Sequence, residues 1–209
     1  MKKSWTLLLA ALTVIMTVLS GCGSAKFEPT GSSIYVKKDG TVISADIEDF
    51  SGSNYSEDEL KAYVENAVKS YNSEKGAASE AYADKNTSLP VAVDSLTVKD
   101  NTASLYLSYA TCADYLEFTG TGGMEDGISA LEKATVAEMS LSGNFKNAKN
   151  ENVTLDSVTK NSKYHVVRIE GPVTMQIEGK VAFVSAGVTI DSKNTVTTPE
   201  ADVSYIVFK

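Results

Sequence analysis

Leu19-Ser20-Gly21-Cys22 sets a cysteine behind two small residues at the end of an apolar run, an arrangement that lets its thiol accept a diacylglyceryl group. Lys2 and Lys3 supply a positive start, and Leu7 to Leu19 is apolar apart from Thr13 and Thr17. Small residues fit a signal-peptidase cleft, and a short apolar core enters the translocon. These thirteen residues would span roughly 20 Å as a helix, against about 30 Å of hydrocarbon, so residues 1–21 read as an export signal rather than a permanent span. Cleavage before Cys22 would leave the lipid attachment at the new N-terminus. Two acyl chains of the palmitate class hold a protein stably where one alone is marginal.

Elsewhere the chemically capable residues stand apart. The mature chain keeps one further thiol, Cys112, and one histidine, His165. With Cys22 lipidated no internal disulfide can form, and Cys112 reads as a small buried hydrophobe. A hydrolytic Cys112–His165 pair would require the two to meet in space, which nothing in their spacing signals. His165 lies on the side of Val167 and Ile169 in a β-rich run and reads as a partly buried structural histidine. One His and one Cys leave a tetrahedral zinc site short of its usual ligands. Ser157-Val-Thr-Lys160 and Ser142-Gly-Asn144 match strings of penicillin-recognising enzymes. They occur in reverse order, lack a Lys-Thr-Gly, and the first sits in a polar loop rather than opening a buried helix.

Gly120-Thr-Gly-Gly123 is too short and out of register for a dinucleotide loop. Asp191-Ser-Lys-Asn194 places lysine third in a would-be calcium loop and lacks the closing glutamate. Asp46, Glu48 and Asp49 cluster near a strand end, and a carboxylate pair for glycoside hydrolysis would need a facing geometry there. Tyr55, Tyr82 and Tyr106 fall outside any core pattern; they could offer a stacking surface for a glycan or peptide, although tyrosine equally serves strand packing.

The elements that must position these residues are legible from periodicity. Ser33 to Ile47 contains two β-rich runs flanking Asp39-Gly40, a hairpin signal because both turn residues tolerate positive φ. Leu60, Tyr63, Val64, Ala67, Val68 and Tyr71 share one face of a helix predicted over about 56–72. Ser56 and Glu59 form a capping box, and Glu57-Asp58-Glu59 complements the positive end of the macrodipole rather than binding a cation. Residues 73–89 read as a polar, Ala-rich surface connection. A second hairpin runs from Val91 to Tyr109, turning at Asp100-Asn101, with Ala103, Leu105, Leu107 and Tyr109 on one face. Short helices are predicted over Cys112–Phe118 and 124–134. Beyond Thr135, strands are predicted at Tyr164–Ile169, Val173–Ile177, Lys180–Ser185, Val188–Ile190 and Val203–Phe208, separated by turn signals as in an antiparallel meander.

Charge and length narrow the function. Without Lys2 and Lys3 the 19 basic residues become 17 against 27 acidic, a formal balance of −10. Such a domain gains nothing from counterion release, so nucleic acid is not an expected partner. Anionic headgroups and wall polymers would repel it overall, leaving the lipid at Cys22 to hold it at the membrane. The 188 residues from Cys22 onward suffice for one substantial core. A Gly/Ser/Pro-rich tether is expected over 22–32, reaching at most about 35–40 Å, followed by a single domain over 33–209.

Ser33-Ile-Tyr-Val, Asp39-Gly-Thr, Ile47-Glu-Asp-Phe50, Tyr55-Ser-Glu-Asp-Glu-Leu60, Tyr71-Asn72, Asp114-Tyr115 with Phe118, and Tyr205-Ile-Val-Phe208 together resemble an uncharacterised lipoprotein family of Gram-positive, Clostridia-like bacteria. The resemblance covers most of the mature chain. It implies a surface lipoprotein on the outer face of the cytoplasmic membrane and supplies no activity, because its motifs are structural. The expected fold is α+β: an antiparallel β-sheet meander with the 56–72 helix packed on it and one or two short helices. The expected function is a non-catalytic binding or interaction module at the cell envelope, with an envelope protein or cell-wall component as partner. The alternatives are an envelope hydrolase using Cys112 or a carboxylate pair, and a small solute-binding lipoprotein. No catalytic, cofactor or metal residue is assigned, and Cys22 is the one assigned site.

Overall fold

The computed structural model describes residues 26–52, 56–85, 87–121, 127–200 and 203–209. Cys22, the export signal and Tyr55 lie outside the described residues. The first hairpin forms as its turn chemistry dictates. β1 (Ser33–Val36) and β2 (Val42–Asp49) pair antiparallel, and the Asp39 carboxylate accepts the Thr41 N–H at 2.9 Å to brace the turn. α1 (Glu57–Glu74) starts where Ser56 accepts the Glu59 N–H at 3.3 Å, and it buries Val64, Val68 and Tyr71. Tyr63, expected on the core face, is 57 % exposed. At about 100° per residue it sits a quarter-turn from Val64, beyond the edge of the buried stripe.

The second hairpin joins β3 (Val91–Lys99) to β4 (Thr102–Tyr109) through Asp100 and Asn101, both left-handed at φ 51° and 61°, the backbone of a type I′ turn. The residues expected on the apolar face of β4 are all buried there. α2 (Cys112–Thr121) follows, opened by a reciprocal cap in which Asp114 N–H donates to the Thr111 hydroxyl at 3.0 Å and Thr111 donates to the Asp114 carboxylate at 2.6 Å. The helix predicted over 124–134 is not present in its described part: Ala130–Thr135 is a strand, β5. Its Leu131 is buried and pairs with Ile169, and a partner strand outweighs the weak helical spacing of so short a segment.

The remainder comprises β6 (Phe145–Asn147), β7 (Asn152–Val153), α3 (Leu155–Thr159), β8 (His165–Glu170), β9 (Thr174–Ile177), β10 (Val181–Ser185), β11 (Thr189–Ile190), β12 (Thr195–Thr197) and β13 (Val203–Phe208). The fold is α+β, with strands in two sheets. A seven-stranded sheet has the order β11-β12-β9-β1-β2-β4-β3 and a six-stranded sheet the order β5-β8-β13-β10-β6-β7. All pairs are antiparallel except β1 with β9, which run parallel.

Two turn signals read as hairpins are corners where the chain changes sheet. Gly171, at φ 122°, takes it from β8 to β9, and Gly179, at φ 128°, takes it from β9 to β10. A Cβ at Gly171 would lie 2.2 Å from the Gly127 carbonyl oxygen, and one at Gly179 the same distance from that of Lys209. Backbone passes so close at both corners that no side chain fits.

One core lies between the sheets. Ile34, Val36, Met175 and Val196 of the larger sheet meet Val167, Ile169, Val184, Ile206 and Phe208 of the smaller. The β3–β4 end of the larger sheet is covered by α1, and α2 bridges from there to β5. A satellite cluster of Val136, Phe145, Val158, Val166, Tyr205 and Val207 fills the other face of the smaller sheet. Burial on both faces accounts for the apolar run Tyr205-Ile-Val-Phe208 of β13.

Candidate functional site

The outer face of the larger sheet, opposite α1, carries the polar half of each strand's alternation. Thr195 and Thr197 pair with Gln176 and Thr174, and Gln176 pairs in turn with Tyr35. Residues 27–32, expected in the tether, lie over this face. The Phe27 ring stacks on Tyr35 at 5.5 Å and meets Tyr106 edge-on at 6.2 Å. The Ser32 hydroxyl donates to the Ile47 carbonyl at 3.2 Å and accepts the Ile47 N–H at 2.9 Å, continuing the β1–β2 pairing by a side chain. Gln176 Nε2 donates to the Lys26 carbonyl at 3.5 Å.

Between the arched segment and the sheet runs a groove of about 370 Å³ lined by Phe27 to Ser33 and by Thr174, Gln176 and Thr195. Its lining mixes the polar Thr30, Ser32, Thr174, Gln176 and Thr195 with Glu28 and the apolar Phe27 and Pro29. Threonine and serine hydroxyls both donate and accept, and glutamine does each at a separate atom. That chemistry suits a neutral ligand rich in hydroxyl groups. Beside the groove Tyr35 is 3 % exposed, and its phenol oxygen has no hydrogen-bond partner among the described residues. Burial first, then Glu178 and Asp39, raise its pKa. Tyr106 is shifted the same way by burial and by Glu28.

The residues singled out from the sequence scatter. Cys112 donates its S–H to the Gly40 carbonyl at 3.8 Å, and burial pushes its thiol up to about 11, so it is protonated at neutral pH. His165 packs on Phe208 at 5.4 Å, and its Nδ1 is buried without a partner among the described residues. Burial, then Lys133 and Lys38, depress its pKa against a weaker opposing pull from Glu178. Among the described residues no hydrogen bond links the two as a nucleophile and its base. Asp46 accepts from Ser44 at 3.2 Å, Glu48 from Ser32 at 3.3 Å, and Asp49 from the Ser51 hydroxyl at 2.8 Å. Alternation along β2 puts Asp46 and Glu48 on one face and Asp49 on the other.

Ser157, expected in a polar loop, lies on the exposed side of the short α3 and shares a hydrogen bond with Thr154 at 2.9 Å, and Ser142 and Asn144 lie in an exposed loop. The Asp191 carboxylate accepts from Thr197 at 2.8 Å, closing a turn. Gly120 falls in α2, and the rest of the glycine run reaches into undescribed residues. No cluster of three His, Cys, Asp or Glu able to hold a metal occurs among the described residues. Of the three unplaced tyrosines, Tyr106 is at the groove side of the sheet, whereas Tyr82 donates to Glu65 of α1 at 2.8 Å, on the opposite side. Tyr82 and Tyr106 therefore form no common surface.

Phe27, Thr174, Gln176 and Thr195 carried no motif. A faint signal exists in the polar alternate positions of Thr174-Met-Gln176-Ile and Thr195-Val-Thr197, which mark a strand face turned away from the core. Comparison with known proteins finds no matching family model, curated protein or solved structure.

Proposed function

We propose that this chain is a lipid-anchored binding protein of the outer face of the cytoplasmic membrane, held through Cys22, whose groove takes a hydroxyl-rich segment of the cell wall. The observation that carries the reading is the groove's lining: Thr174, Gln176 and Thr195 lie together under a segment that begins five residues after Cys22. Its volume, about 370 Å³, lies in the range of small-ligand sites. The Phe27 ring offers an apolar wall of the kind a sugar ring packs against, and the hydroxyls and amide fix orientation. Binding here asks for no proton transfer, so the protonated Cys112 and the dispersed carboxylates are consistent with it.

The test uses full-length protein in detergent micelles, titrated with soluble wall disaccharides and muropeptides by calorimetry. Saturable binding that weakens about tenfold in Gln176→Ala, roughly 1.4 kcal/mol, supports the reading. No heat with any wall saccharide, or equal affinity in Gln176→Ala, overturns it. Intact mass of the membrane-extracted protein reports separately whether Cys22 carries lipid.

A further inference from the structure

The polar atoms of the groove are not equally free to serve a ligand. Thr197 commits its one hydroxyl proton to the Asp191 carboxylate at 2.8 Å. The 3.4 Å contact between Thr174 and Thr197 therefore takes the Thr174 proton, and the Thr174 oxygen faces the groove as an acceptor. Gln176 sends one Nε2–H to the Lys26 carbonyl at 3.5 Å, which leaves its Oε1 unspent. Ser32 shares its proton between the Ile47 carbonyl at 3.2 Å and the Glu48 carboxylate at 3.3 Å, and its oxygen already takes the Ile47 N–H at 2.9 Å. Donors along the lining are thus largely consumed inside the protein, while acceptors remain.

Charge points the same way. Glu28 is the only ionisable side chain among the described residues of the lining. Two further carboxylates stand behind it, Glu48 on Ser32 and Asp191 on Thr197, and hydrogen bonding leaves their charges in place. Against these three stand Lys26, paired with Glu28, and Lys193, exposed in the turn beside Asp191. The Lys26–Glu28 pair is 58 and 61 % exposed, and such a pair in open water contributes little, so an ammonium from a ligand can take the place of Lys26. Over the sheet face the carboxylates dominate: Tyr106 is raised by burial and then by Glu28, and Tyr35 by burial and then by Glu178 and Asp39.

We propose that the groove selects a sugar bearing a free, protonated amine, an amino sugar without its N-acetyl group, and that Glu28 is the residue that reads the charge. An ammonium brings three donors and no acceptor, whereas an N-acetyl amide brings one of each and no charge. The rest of the ligand stays neutral and hydroxyl-rich, as the threonines and Gln176 require. The inference rests on the reading of the groove as a wall-saccharide site.

The test is calorimetry on the full-length protein in non-ionic detergent micelles at about pH 6, where an aliphatic amine is protonated. The titrants are the β-1,4-linked glucosamine disaccharide and its di-N-acetylated counterpart. The free amine is expected to bind about tenfold more tightly, and the preference should shrink at about 1 M salt, where the Debye length falls to about 3 Å. Glu28→Gln should bring the two affinities within about twofold of each other. Asp58→Asn, which removes an exposed carboxylate from α1 on the other side of the sheet, should leave the preference intact. Equal affinities in the wild type, a preference for the N-acetylated sugar, a preference that survives Glu28→Gln, or one lost equally in Asp58→Asn overturns the inference. Should both sugars bind alike and both weaken in Gln176→Ala, the amine preference falls and the groove reading stands. Absence of heat with either sugar overturns both.

Discussion

Ile34, Val36, Val42, Leu107, Met175 and Val196 project from one face of the seven-stranded sheet, while Tyr35, Tyr106, Thr174, Gln176, Thr195 and Thr197 project from the other, alternating along the same strands. The first face is sealed by a second sheet and two helices. The second is covered in part by a short N-terminal segment that leaves a groove. One backbone therefore serves as a wall of the core and as the floor of a candidate site. The difference teaches that stability and binding are separable here by residue parity: a change at one position and at its neighbour should have unlike consequences.

The largest break in that comparison comes from the sealed face. Leu107 is fully buried at its centre, so Leu107→Ala should cost about 2–5 kcal/mol, read as a drop in chemical-denaturation stability, because the cavity cannot refill. Next is Asn72, a fully buried polar residue on α1. Its side chain holds the Val91 N–H at 3.0 Å and the Val91 and Glu80 carbonyls at 2.8 Å, fastening the helix to the edge strand β3. Asn72→Ala should cost about 1–3 kcal/mol, and hydrogen exchange at the Val91 amide should accelerate. On the open face Phe27→Ala should cost about 1 kcal/mol from lost ring contacts, and it should expose residues 27–33 to proteolysis without global unfolding.

Acid offers a subtler way to place charge on the buried side. The folded pKa of His165 lies below its ordinary value, so the unfolded chain takes the proton first. Its stabilisation is complete above about pH 6.5 and is lost as pH falls through the lower folded value. The melting-temperature profile of His165→Gln should be flatter than the wild type's below pH 6.5, and parallel profiles would refute the assignment. The smallest effect belongs to Thr97, exposed on the groove side of β3, where Thr97→Ala should stay within about 0.5 kcal/mol.

How far the sequence reveals this arrangement depends on how local each signal is. α1, both Asp-led hairpins and β13 are specified by caps, turn residues and periodicity within a few positions, and each forms where those signals fall. The division into two sheets is set at Gly171 and Gly179, whose close contacts with Gly127 and Lys209 belong to the assembled fold. β6, β7 and β12, at two or three residues each, are too short to carry a period. Asn72 reads as an ordinary polar end of a helix until Val91 is beside it. The groove escapes for the same reason, since Phe27 and Gln176 are neighbours only through the parallel β1–β9 pairing.

That pairing also orders events in time. β1 is an interior strand, yet its second partner comes from the far part of the chain, as the Lys38–Glu178 bond across 140 residues illustrates. Closing so long a loop is slow and must precede the contacts that repay it. β13, the last strand, likewise fills the middle of its sheet between β8 and β10. A polypeptide threaded N-terminus first through a channel would thus be unable to complete either sheet while its final third remained behind. Both sheets stay incomplete until β9 and β13 have taken their interior places.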